Sequence, residues 1–121
     1  MNKLIVAAVS IAALTPAGLA SARTHPTAHA AATTKVSVTG KEFSLHLSRT
    51  SISKPGTVVF TFRNVGTMAH DFSIGGRTSK MISPHKAATL TVTFHEKGRF
   101  TYLCTVPGHA QAGMKGVFTV R

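Results

Sequence analysis

The chain is short of several things that proteins of its size usually contain. Its 121 residues include one cysteine, one tyrosine, no tryptophan, and three acidic side chains against fourteen Lys and Arg. A single cysteine rules out a disulfide within the chain and any metal centre that needs two bridging thiolates. The shortage of acid leaves a formal net charge of +11. Charge of that size often marks nucleic-acid binding. Here, however, basic residues such as Lys41, Arg63, Lys86 and Arg99 are scattered, with no aromatic side chains interleaved among them on one element. No nucleic-acid partner is therefore expected. A basic surface of this kind serves solubility, or steers the protein toward an acidic partner or an anionic envelope surface. Helical periodicity is missing too, and there are no internal repeats.

The N-terminal apolar run, Leu4 to Leu14, falls short of the roughly 20 residues needed to cross a bilayer. Lys3 precedes it, Pro16 and Gly18 follow, and Ala20-Ser21-Ala22 supplies small residues at the expected positions of a cleavage site. Residues 1–22 thus read as a secretory signal peptide cut before Arg23, with no cysteine there for lipid attachment. Residues 23–34, RTHPTAHAAATT, read as a flexible tether, and residues 35–121 as one domain. The expected location is periplasmic or extracellular. In such an oxidising compartment a lone thiol must be buried, paired with another chain, or held by a metal.

From residue 35 onward apolar residues alternate with polar ones: Val36 and Val38; Phe43, Leu45 and Leu47; Val58, Phe60 and Phe62; Phe72 and Ile74; Leu90, Val92 and Phe94; Phe100 and Tyr102; Phe118 and Val120. Gly40, Pro55-Gly56, Gly66, Gly75-Gly76, Pro84 and Gly98 punctuate them as turns. About seven short strands at this spacing predict an all-β fold, a two-sheet antiparallel sandwich.

The chemistry concentrates near the C-terminus. In FTYLCTVPGHAQAGMKGVF (100–118) Cys104 stands five positions before His109 and ten before Met114. A thiolate, an imidazole and a thioether on one loop are soft donors that suit copper. A second imidazole, His70, lies in NVGTMAHDF (64–72), after a strand-like run and a Gly66 turn. Two His, one Cys and a weak axial Met make up an electron-transfer copper site.

At these residues the chain resembles the cupredoxins, specifically the small plastocyanin-like type, and its C-x4-H-x4-M spacing is similar to that of rusticyanin and auracyanin. The resemblance covers residues 35–121. It implies a Greek-key β-sandwich, one type 1 copper ion held by His70, Cys104, His109 and Met114, and a monomer that shuttles single electrons between redox partner proteins without substrate chemistry. It also implies that His70 is the buried imidazole and His109 the one near the surface, within an apolar rim of Met68, Ala69, Val106, Pro107, Ala110 and Ala112. Asp71 stands where many cupredoxins carry Asn, and its side chain would brace Thr105. Storage or delivery of copper is the competing function, but Met68, Met81 and Met114 are the only methionines expected in the mature chain, too few for a Met-rich exchangeable site. Of the other histidines, His46, His85 and His95 read as surface residues, and His25 and His29 as part of the tether.

Overall fold

A computed structural model describes residues 32–121. The expected signal peptide, and the tether up to residue 31, lie outside the described residues. The first strand, β1 (Thr34–Lys41), begins at the end of the expected tether. It is followed by β2 (Ser44–Leu47), β3 (Ser51–Ile52), β4 (Gly56–Asn64), β5 (Ser73–Ile74), β6 (Arg77–Thr78), β7 (Ala87–Phe94), β8 (Gly98–Leu103), the short helix α1 (His109–Ala112) and β9 (Lys115–Val120). They form a four-stranded sheet in the order β2-β1-β4-β7 and a five-stranded sheet in the order β3-β9-β8-β5-β6.

The alternation selects the inner face of each sheet. Val36 and Val38 of β1, Val58, Phe60 and Phe62 of β4, and Leu90, Val92 and Phe94 of β7 are buried from one side. Tyr102 of β8 and Phe118 and Val120 of β9 close over them from the other. Phe60 anchors the core, its ring centroid 5.2 Å from that of Phe72 and 5.5 Å from that of Phe118, inside the range of favourable aromatic pairs.

Three expectations are corrected. The sheets are mixed: β1 runs parallel to β4 and β3 parallel to β9. A parallel pair needs a crossover connection, and β2 and β3 supply it by carrying the chain into the second sheet before β4 returns beside β1. Gly40 is not a turn but lies inside β1, where an added Cβ would sit 2.5 Å from the Phe62 ring, so glycine there lets that ring lie across the strand. Phe43 leaves the alternation of Leu45 and Leu47, because it precedes β2 and is 42% exposed. His46, His85 and His95 are exposed, as expected.

Candidate metal centre

Strand β8 delivers the cysteine. It pairs with β9 from Gly98↔Val120 to Leu103↔Lys115 and with β5 through Ser73↔Leu103, so Cys104 emerges buried at the end of a strand held on both sides. The loop beyond it closes on itself through the backbone. His109 N–H donates to the Val106 carbonyl at 3.0 Å, Met114 N–H to the His109 carbonyl at 3.1 Å, and Cys104 N–H to the Met114 carbonyl at 3.0 Å. Gly108 and Gly113, with φ of 85° and 128°, occupy left-handed conformations that side chains disfavour, and these bend the loop at each end of α1. Cys104, His109 and Met114 are thus fixed relative to one another, and all three side chains are buried.

His70 arrives from the other side of the molecule. After β4 the chain turns under the control of Asn64, whose side-chain amide donates to the carbonyls of Met68 (2.7 Å) and Ile82 (2.8 Å), while its oxygen accepts Gly66 N–H at 2.9 Å. A bridge to Ile82 then pins the His70 backbone in both directions. The next residue ties the two halves together. Asp71 accepts Thr105 N–H at 2.6 Å and the Thr105 hydroxyl through its second oxygen, the brace expected of that position, with a carboxylate in place of an amide.

These supports bring three donor atoms to one point. His70 Nδ1 lies 3.1 Å from His109 Nδ1, and Cys104 Sγ lies 3.9 Å and 3.7 Å from the two nitrogens. A triangle with those sides has a circumscribed circle of about 2.1 Å radius, close to the roughly 2.0–2.3 Å at which nitrogen and thiolate sulfur bind a transition metal. A single ion therefore fits between them as they stand. Among the described residues this is the one His/Cys/Asp/Glu cluster that fits a metal ion. Burial pushes the pKa of the Cys104 thiol up, so a bound cation is what would take its proton off. His70 is fully buried and His109 5% exposed, the order of depth that the resemblance implied.

Two neighbours of the site escape the sequence reading. Glu42, in the turn just after β1, accepts Thr67 N–H at 2.9 Å and Met68 N–H at 2.7 Å, and the same oxygen lies 3.0 Å from His70 Nε2. The Met68 N–H bond leads, and Glu42's own backbone, His70 and Thr67 assist, in holding its carboxyl at a pKa of about 2 against the opposing effect of burial. Phe43 presents its ring edge-on to His109, the centroids 5.2 Å apart and the planes at 71°. The available signal was the rarity of acid, since Glu42 is one of only three acidic residues in the chain. Around the site, Met68 is 44% exposed, Ala69, Pro107 and Ala112 are exposed, and Val106 and Ala110 are half-buried. Val65 and Met81 add exposed apolar surface on the segments flanking His70.

Comparison with known proteins places this geometry. The family described as the cupredoxin-like domain matches residues 5–120. Over 43 residues, 36% of the chain, the sequence is 46% identical to the copper-resistant cuproprotein CopI of Pseudomonas aeruginosa, and the matched segment spans 24% of that protein's length. The fold superposes on the dithionite-reduced auracyanin of Roseiflexus castenholzii with a TM-score of 0.65 and 25% identity, over 73% of this chain and 97% of the other. It also superposes on the copper nitrite reductase of Nitrosomonas europaea with a TM-score of 0.61 and 19% identity, over 74% of this chain and 41% of the other.

Proposed function

This chain belongs to the cupredoxin-like family, and on that premise we propose that it is an exported type 1 copper protein carrying single electrons between redox partners. The observation that carries the reading is the buried triangle of His70 Nδ1, His109 Nδ1 and Cys104 Sγ, sized for one metal ion. Fold alone does not choose among the roles its relatives play, so the choice rests on the site.

Copper bound there supplies a one-electron Cu(II)/Cu(I) couple. The chain's residues supply rigidity. His109, Met114 and Cys104 are linked by successive backbone hydrogen bonds, and Asp71 locks Thr105 to the His70 segment. Donors held this firmly change little between oxidation states, which lowers the reorganisation an electron transfer demands. Met114, fully buried and tied through its backbone to His109 and Cys104, would add a weak thioether donor that tunes the copper. The apolar rim around His109 offers a docking surface for a partner, and the excess of Lys and Arg over acidic residues favours an acidic one. Reduction of nitrite or oxygen would call on a second metal site with further histidines, which this mechanism does not use.

The test is the visible spectrum of copper-loaded protein. Wild type is expected to show an intense thiolate-to-Cu(II) band, and Cys104→Ser to lose it while keeping the β-rich circular dichroism of the fold. A coloured Cys104→Ser protein would refute the site. Storage or delivery of copper is the second reading, favoured by the local identity to CopI. Rapid loss of Cu(I) to a chelator of moderate affinity, together with slow electron exchange, would select it.

A further inference from the structure

We propose that Glu42 is a positioning residue of the metal centre: its carboxylate receives the Nε2–H of His70, aims Nδ1 of that ring at Cys104 and His109, and stabilises the oxidised state of the site. The inference rests on the copper reading above. His70 is fully buried, and its two ring nitrogens face opposite partners, Nδ1 toward His109 Nδ1 at 3.1 Å and Nε2 toward Glu42 Oε1 at 3.0 Å. An imidazole that binds a metal through one nitrogen commonly has its other N–H held by an acceptor, which fixes the ring's tautomer and strengthens it as a donor. A carboxylate does this with a full negative charge.

The surroundings are shaped to hold that charge. Thr67 and Met68 N–H donate to the same Oε1 from the loop that carries His70. Gly66 leaves the room, since a Cβ there would collide with the carboxylate oxygens. Among the described residues the one ion-pair partner of Glu42 is His70, although the chain has fourteen Lys and Arg. Of the three acidic residues, two border the metal centre: Asp71 braces Thr105 and Glu42 faces His70. In a protein otherwise so basic, negative charge is concentrated where a Cu(II) site, one unit more positive than Cu(I), benefits from it.

A purely structural role, capping the turn at residues 66–68, is the alternative, and two measurements separate them. Long-range 1H–15N correlation spectra of the metal-free wild type are expected to show His70 protonated at Nε2. A ring protonated at Nδ1 alone would overturn the proposal. Copper-loaded Glu42→Gln, which keeps the side chain's shape and one carbonyl acceptor, is expected to stay coloured while its Cu(II)/Cu(I) affinity ratio falls about tenfold, a rise of 59 mV in one-electron potential. A potential equal to wild type, with only a lower urea midpoint, would leave Glu42 a turn cap and sink the proposal. Colourless wild-type protein would instead remove the copper reading itself, and this proposal with it.

Discussion

In the body of the sandwich Phe60, Phe72, Phe94 and Phe118 pack ring against ring, whereas at one end the buried positions turn polar: Asn64, His70, Asp71 and His109. Those four are the buried polar residues among the described residues, and all belong to the metal centre or its braces. The two regions are stabilised differently. Apolar burial is non-directional and tolerates small shifts, while a buried polar atom costs about 1–3 kcal/mol if it loses its partner. No buried side-chain nitrogen or oxygen among the described residues lacks a hydrogen-bond partner. The polar end is thus specified atom by atom, and the apolar body holds it in place.

The contrast breaks first under truncation in the body. Phe60 is fully buried between Phe72 and Phe118, so Phe60→Ala should cost about 3–5 kcal/mol in the metal-free protein, read by urea denaturation. A loss below about 1 kcal/mol would mean that the core closes around the gap and that the body is not the main source of stability.

Metal binding should load the other region. The site assembles only when the His70 and Cys104 segments meet, so copper in free excess of about a thousand times its Kd should add roughly 4 kcal/mol. Cys104→Ser should gain far less. Equal thermal midpoints for metal-free and copper-loaded wild type would show that the polar end is no preformed site.

The same contrast explains how much was legible in the sequence. Period-two alternation locates the body because a strand buried on one face must repeat every second residue, and the candidate ligands stand out by the spacing of Cys104, His109 and Met114. Strand direction was not legible. Alternation looks the same in a parallel and an antiparallel pair, so the β1–β4 and β3–β9 pairings emerge only from the structure. Glu42 and Phe43 were hidden for a related reason. They are far in sequence from both candidate ligand segments, and pairing of β1 with β4, through Gly40↔Asn64, is what brings them to the site. Asp71 could be placed because it adjoins a candidate ligand; Glu42 could not.

A smaller effect is expected at the brace between the regions. Asp71→Ala removes two hydrogen bonds to Thr105; because Thr105 is exposed, water takes over its donors, and the total cost should stay at about 1.5–3 kcal/mol, the range for one bond to a charged group. The urea midpoint of the metal-free protein should fall accordingly, and the loaded protein should release copper faster because Thr105 follows Cys104. Wild-type copper retention in Asp71→Ala would show that the Cys104 loop is rigid without its tie to the His70 segment.

The smallest effect is expected at Phe43, which belongs to neither region by the rule that separates them. It is apolar yet 42% exposed, and its edge-to-face contact is with His109 rather than with the core. Such pairs add about 0.5–1.5 kcal/mol beyond burial, and a half-exposed ring should sit at the lower end of that range. Phe43→Ala should therefore shift the urea midpoint only slightly. Its visible consequence should be kinetic: with the ring gone, water and chelator reach His109 more readily, so copper loss should accelerate, while Phe43→Leu, which keeps an apolar cover, should restore most of the retention. A fall in stability as large as that of Phe60→Ala would assign Phe43 to the core after all, and unchanged copper loss in Phe43→Ala would mean that the ring decorates His109 without shielding it.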